Sequence, residues 1–338
     1  MELPKLPPRP SPVIDPVVAN AVLIAVRQNA NVICDRWSLV TLLLAHAGTS
    51  RFTEFRERSG MANRQLTARL TLLESQEILV RLPYTRRPLR YEYHLSHMGL
   101  ELFDVFASMA RWERQWHPAE GHAEMLIEHL DCGAKAVQPR MHCAYCAEVI
   151  VARDVAFKVS QKEVEAMPTK NTPYRRSGAG VAGLAPNEKA PLAHAIEIFG
   201  DKWSIEIIVC AFLRVRNFGG FQAQTGISTN ILADRLARLV ELGVLRQAEA
   251  DDPGHRKGTY VLTEKGIDLY PVLLALQAWA DDWLRDRVRS PVKLVHSRCG
   301  QALRLRVCCG QCGGTLARGN SRLRFSGAFG ATAESRND

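Results

Sequence analysis

The chain alternates between two periodicities, and it does so twice. In WSLVTLLLAHA (37–47) apolar residues run around most of a helical surface, the pattern of an element held inside a small bundle. Further on, ANRQLTARLTLLESQ sets Leu66, Leu70 and Leu73 at i, i+4 and i+7 and leaves Asn63, Arg64, Thr67 and Thr71 on the opposite face. Between these two, residues 51–58 predict a short amphipathic helix with Phe52 and Phe55 inward, closed by Gly60. Downstream, ILVRLPY and LRYEYHLS are β-prone and alternate with period two, and TRRP sits at their junction. A short helix, a glycine turn, a second helix with a polar basic face and a two-stranded hairpin make a winged helix-turn-helix.

The same order then returns. DRWS at Asp35–Ser38 recurs as DKWS at Asp201–Ser204, and RFTEF at Arg51–Phe55 as NFGGF at Asn217–Phe221. SGMANRQLTARLTLLE (59–74) aligns without gaps to TGISTNILADRLARLV (225–240). RYEYHLSHMG, ending at Gly99, matches GTYVLTEKG, ending at Gly266, and Trp112 and Trp116 return as Trp279 and Trp283. The chain is two copies of one domain.

Cysteine and histidine complete the repeat, as HLDCGAKAVQPRMHCAYC from His129 and HSRCGQALRLRVCCGQC from His296. C-x2-C closes a tight chelate, and zinc prefers four tetrahedral nitrogen and sulfur ligands. Each copy supplies such a quartet: His129, Cys132, Cys143 and Cys146, then His296, Cys299, Cys309 and Cys312. The expectation is two zinc ions per chain, each held within one copy, with His142 and Cys308 as substitute ligands. The glycines after Cys132 and Cys299 suit the tight turn of a ribbon knuckle. A redox-switchable thiol cluster and metal-free domain ends are the other readings. A thioredoxin-type site is disfavoured, because no βαβ context surrounds the cysteines.

The predicted fold class is mainly α with small β-hairpins. Residues 1–13 are read as a disordered N-terminus and 14–117 as the first winged helix-turn-helix, followed by a zinc-ribbon-like module at 118–159. A linker at 160–189 leads to the second winged helix-turn-helix at 190–286, its module at 287–325 and a disordered tail at 326–338. The linker contains GAGVAG, formally a dinucleotide-binding motif, but no apolar strand precedes it and Pro186 follows where a helix should run.

Charge narrows the function. Lys and Arg exceed Asp and Glu by nine across 338 residues, a field that favours polyanions. No apolar run nears the ~20 residues that span a bilayer, and the N-terminus lacks a secretory h-region, so a cytoplasmic protein without a membrane partner is expected. Nine cysteines in a reducing compartment point to metal ligands, catalytic thiols or buried small residues rather than a disulfide framework. No nucleophile and general base stand out together, which argues against an enzyme.

The ordered set D-[RK]-W-S, [RN]-F-x-x-F, L-x-x-R-L-x-x-L, Y-x-L-[ST]-x-x-G and a Trp-bearing closing helix resembles the HxlR-type bacterial transcriptional regulators over nearly all of both repeats. The resemblance implies a MarR/ArsR-like winged fold, dimeric action through the terminal helices, and gene regulation. Two copies in one chain depart from the usual pattern and open the choice between a homodimer and an intramolecular pseudo-dimer.

Double-stranded DNA is therefore the expected partner. Base or phosphate contacts are expected from Asn63, Arg64 and Thr67 in copy one and from Thr229, Asn230 and Arg238 in copy two. Wing contacts are expected from Arg86, Arg87 and Arg90, and from His255, Arg256 and Lys257. Arg69 and Arg235 flank the leucine rows and suit either phosphate contact or an ion pair within the domain. The tryptophan pairs are read as core in preference to a dimer interface, and Cys34 as an inert buried thiol in preference to a redox sensor. The reading is a repressor on an imperfect palindrome; a thiol- or metal-responsive sensor and a protein-interaction scaffold without DNA are the rivals. No effector can be read from the residues.

Overall fold

The computed structural model describes residues 16–118, 123–160, 190–249, 252, 256–284 and 292–326. The expected disordered N-terminus, the linker beyond Ser160 with its GAGVAG motif, the tail beyond Ser326 and His255 lie outside the described residues.

Copy one begins with α1 (Pro16–Ile33), α2 (Arg36–His46), α3 (Phe52–Ser59) and α4 (Asn63–Ser75). The strands β1 (Leu79–Arg86) and β2 (Leu89–Leu95) pair antiparallel as the wing, and α5 (His97–Leu100) and α6 (Phe103–Trp116) follow. The local chemistry matches the sequence reading. Leu66, Leu70 and Leu73 are buried beside Phe55, and replacing any one with Ala would cost about 2–5 kcal/mol through lost transfer and cavity terms. Gly60 ends α3 in the left-handed conformation at φ 69°, open to glycine without strain.

Copy two repeats the order with α7 (Ala193–Phe199), α8 (Lys202–Phe212), α9 (Phe218–Thr225), α10 (Thr229–Glu241), β6 (Leu245–Gln247), β7 (Tyr260–Leu262), α11 (Glu264–Ile267) and α12 (Tyr270–Trp283). Its wing is shorter, with three paired residues per strand.

The copies embrace about a pseudo-twofold axis. Equivalent residues Asp35 and Asp201 form an antiparallel bridge on it. Trp112 Nε1 donates to Lys265 O at 3.0 Å, and its counterpart Trp279 Nε1 donates to Met98 O at 2.9 Å. These tryptophans are buried, yet what they bury against includes the other copy, so the expectation of core in preference to interface resolves into both. Next to them, Arg111 and Trp116 both reach the Asp268 carboxylate. On the other flank α1 lies along α8, where Arg27 Nε donates to Glu206 at 2.9 Å.

The ribbon modules are not self-contained. In copy one β3 (Met125–His129), β4 (Pro139–Cys143) and β5 (Val155–Val159), and in copy two β8 (Val292–His296), β9 (Leu305–Cys309) and β10 (Ser321–Phe325), pair only across the copies. β3 pairs with β10, β5 with β8, and β4 with β9 so that the equivalent residues Met141 and Val307 face each other on the axis. No helix among the described residues is long and apolar enough to cross a membrane.

Candidate metal centres and nucleic-acid interface

Each Cys/His quartet combines the two copies, which corrects the expectation of one quartet per copy. One cluster joins His129 and Cys132 to Cys309 and Cys312; the other joins Cys143 and Cys146 to His296 and Cys299. The cause is the strand pairing. β9 delivers Cys309 to the strand next to β4, while β3 ends at His129 beside β10, so each His-x2-Cys turn meets the C-x2-C turn of the opposite copy.

The four ligand atoms of each cluster lie within 4.8 Å of one another. Cys132 Sγ and Cys309 Sγ are 3.9 Å apart, as are Cys143 Sγ and Cys299 Sγ, far beyond a disulfide bond. His129 Nδ1 lies 3.2 Å from Cys132 Sγ and 3.4 Å from Cys312 Sγ; His296 Nδ1 lies 3.3 Å from Cys146 Sγ and 3.4 Å from Cys299 Sγ. A tetrahedron built with Zn–S near ~2.3 Å and Zn–N near ~2.0 Å has edges of about 3.8 Å between sulfurs and about 3.5 Å between sulfur and nitrogen. The observed edges match it.

The backbone prepares the thiolates. Gly133 and Gly300 take φ of 72° and 70°, as the glycine positions implied, and Ala147 and Gly313 occupy the same region in the other two knuckles. Burial raises the Cys143 and Cys309 thiol pKa, but the amides of Cys146 and Tyr145, and of Cys312 and Gln311, outweigh it. The net effect lowers both, Cys309 to about 7. His129 and His296 are both fully buried; the Asp131 carboxylate lies 3.3 Å from His129 Nε2, but among the described residues neither Nε2 has a hydrogen-bond partner. His142 and Cys308 belong to neither cluster: His142 Nδ1 faces Ala147 O at 2.7 Å.

The two helix-turn-helix units present α4 and α10 outward. Asn63, Arg64 and Thr67 are exposed, as are Arg86, Arg87 and Arg90 on the first wing. In copy two Thr229 and Asn230 are exposed, with Gln222 Nε2 donating to Thr229 Oγ1 at 3.1 Å, and Arg256 and Lys257 are exposed on the second wing.

Three arginines expected at DNA are held inward. Arg69 Nε lies 3.2 Å from Asp35 Oδ1, Arg235 pairs with Asp201 and Asp234, and Arg238 pairs with Glu197 and, at 2.7 Å, with Glu241. Hydrogen bonds to Glu197 and Glu241 raise the Arg238 pKa further, despite partial burial. Of the two readings left open for Arg69 and Arg235, the ion pair within the domain is the arrangement present.

Asp35 and Asp201 escaped the sequence reading. Each caps its helix, accepting from Trp37 N at 3.1 Å and Trp203 N at 3.3 Å, and each receives the hydroxyl of the serine three residues on. Each also holds the arginine of its reading helix and bridges to the other on the pseudo-axis. Thus D-[RK]-W-S fixes α4 and α10 to the centre of the molecule. The Asp-x-x-Ser spacing was the available signal.

These features define a tandem winged helix-turn-helix protein. The HxlR-like helix-turn-helix family model matches residues 32–121 and 198–288, and the chain belongs to that family. It is 35% identical over 134 residues to an uncharacterized HTH-type transcriptional regulator of Mycobacterium tuberculosis, covering 39% of this chain and 84% of that one. It is 30% identical over 81 residues to the uncharacterized HTH-type transcriptional regulator YtfH of Escherichia coli, covering 24% of this chain and 64% of that one. The crystal structure of PA1607, a proposed transcription factor, aligns at 37% identity and a TM-score of 0.36 over 41% of this chain and 96% of its own.

Proposed function

We propose that the protein is a DNA-binding transcriptional regulator, a repressor, that acts as an intramolecular pseudo-dimer on an imperfect palindrome. The observation that carries this reading is the pair of outward helices, α4 and α10, related by the axis through Asp35 and Asp201. Two reading heads fixed by one axis meet two half-sites on one face of a duplex, about one helical turn or a multiple of it apart. The heads differ, because Asn63, Arg64 and Thr67 align with Thr229, Asn230 and Ala233. Different donors and acceptors select different bases. Copy one dominates affinity, since Arg64 and the exposed wing arginines lack an acidic neighbour such as Asp234.

In this reading the metal is zinc, two ions per chain, and its role is structural: it clasps the copies and sets the spacing of the heads. Tetrahedral cysteine-rich sites with no open position suit that role.

Selection of bound fragments from the source genome, followed by footprinting, tests the reading. The expected site has two unequal halves, with Arg64→Ala relaxing one and Asn230→Ala the other. Absence of any selected sequence, or a perfectly symmetric one affected at both halves by either substitution, would refute it.

A further inference from the structure

The turn between α8 and α9 and the second wing enclose an open cup of about 440 Å³, lined by three arginines, Arg214, Arg216 and Arg256. Asn217 in that turn caps α9, its side chain accepting from Gly220 N at 2.7 Å, and Tyr260 N of β7 donates to Arg216 O at 2.7 Å, which ties the wing to the turn. Thr259 and Gln224 also line the cup, and no Asp or Glu among the described residues does. Burial and the neighbouring Arg214 both lower the Arg216 pKa, as for a cation with no carboxylate at hand. Arg214 holds φ at 64°, a left-handed backbone that is costly for a residue with a Cβ.

Copy one shows what occupies the same place when the chain supplies its own anions. There Glu54 accepts from Ser50 N and Arg51 N at 3.4 and 3.3 Å, so a carboxylate covers the N-terminus of α3, and Arg51 Nε donates to Glu92 at 3.0 Å. The frame is the same, since Tyr93 N donates to Ser50 O at 2.8 Å as Tyr260 N does to Arg216 O. Copy two has Arg214 for Gly48, Arg216 for Ser50, Asn217 for Arg51, Gly220 for Glu54 and Thr259 for Glu92. The formal charge of these five positions changes from −1 (Arg51, Glu54, Glu92) to +2 (Arg214, Arg216). Arginine even stands at the position whose φ is positive in both copies, 85° at Gly48 and 64° at Arg214.

We propose that this cup is a binding site for a phosphoryl group, present in copy two alone, and that the group it takes is a backbone phosphate of the DNA beside the second half-site. A phosphate set there stands in for the two missing carboxylates: guanidinium forks suit its paired oxygens, and the positive end of α9 suits its charge. DNA as the source rests on the DNA-binding reading above. The cup lies between α9 and the second wing, and the first helix of a helix-turn-helix crosses the duplex backbone. It anchors a head whose Arg235 and Arg238 are tied to carboxylates and whose wing pairs over only three residues per strand. Such a contact carries affinity and position without sequence information.

The full chain titrated with inorganic phosphate, without DNA and at constant ionic strength, should show saturable shifts of the Arg216 and Arg256 Nε–Hε resonances, where chloride gives none. These shifts are read in the unaltered chain, independently of any variant's folding. Thr259→Glu returns the carboxylate that copy one carries at Glu92 and should weaken phosphate at least tenfold, as should Arg216→Gln. No saturable shift, or equal shifts at the exposed Arg86 and Arg87 of the first wing, would overturn the site. On the selected operator, ethylation interference should mark a phosphate beside the half-site that Asn230→Ala relaxes. Arg216→Gln should erase that mark alone, keep the base preference and flatten the log–log salt slope by about 0.9 for one phosphate lost. A mark that survives Arg216→Gln would overturn the backbone as the source and leave a free phosphate compound as the ligand. A chain that binds phosphate at Arg216 but no DNA would uphold the site and refute the function proposed above.

Discussion

If each metal ion joins the two copies, paired Cys→Ser substitutions must group across the sequence, not along it. Cys143 and Cys299 lie 156 residues apart but belong to one cluster, while Cys132 and Cys143 are near neighbours in different clusters. Cys143→Ser with Cys299→Ser should leave about one zinc per chain, because a two-ligand remnant binds weakly while the other cluster stays whole. Cys132→Ser with Cys143→Ser should leave three ligands in each cluster and weaken both ions alike, so that a competing chelator strips both where it strips neither from the unaltered chain. The energetic consequence follows from loop length. A clip across the 177 residues between Cys132 and Cys309 restricts the unfolded chain by about 5 kcal/mol on the loop-entropy expression, against about 3 kcal/mol for the short loop from Cys132 to Cys143. Removing metal with a chelator should therefore lower the unfolding free energy by at least that larger amount, a large fraction of a domain's whole stability. Elemental analysis after exhaustive dialysis gives the stoichiometry, and urea titration gives the stability. The reverse grouping, with Cys143 and Cys299 together weakening both ions and Cys132 and Cys143 together emptying one site while the other stays whole, would refute the shared clusters. Metal-free protein from unchelated preparations would refute zinc itself.

Arg86→Ala with Arg87→Ala should weaken specific and random duplexes alike and flatten the salt dependence of binding by about 1.8 in log–log slope if each arginine meets one phosphate; an unchanged slope means the wing stays off DNA. Arg69→Ala and Arg235→Ala should lower thermal stability while leaving selected base preferences unaltered, since both side chains brace the helix caps Asp35 and Asp201. His46 gives a pH signature. Burial lowers its pKa to about 4, with Nε2 donating to Gly99 O at 3.1 Å, so an unfolded chain takes up a proton near pH 6.5 that the folded chain refuses. The stability linked to His46 is present above about pH 6.5 and is lost as pH falls toward 4, by about 3 kcal/mol at most. His46→Gln should remove that part of the slope in urea titrations across this range, and an unaltered slope would show that His46 does not carry it.

Much of the fold was legible because its signals are local. The leucine row 66, 70 and 73, the left-handed Gly60 and the alternation through β1 and β2 all depend on neighbours within a few residues, and the structure places them as read. The identities of the eight cluster residues were equally plain. Their partition was not, because ligand spacing restricts which residues can be close but not which strand lies alongside. Pairing β4 with β9 brings together residues 166 apart in sequence, and no window of the chain encodes that choice. The tryptophans were half legible for a related reason: burial was readable, but an apolar stripe on a closing helix looks the same whether it meets its own copy or the next. Arg69 was ambiguous until Asp35 stood beside it.

Fusion of two copies changes what substitution can do. In a homodimer every change appears twice, so a cavity opened on one flank opens on the other, and a residue that alters one half-site alters both. Joined in one chain, the copies diverge independently while the axis persists through Asp35 and Asp201, through Met141 and Val307, and through the reciprocal tryptophan bonds. The departures from symmetry fall away from those axial contacts: the long first wing against the short second, Arg64 against Asn230. Symmetric contacts hold the two heads in register, and the asymmetric ones can then be specialised without loss of that register. Linkage also makes association of the copies intramolecular, so their pairing does not depend on protein concentration. The two crossed clusters reinforce the same point, since each is complete only when both copies are in place.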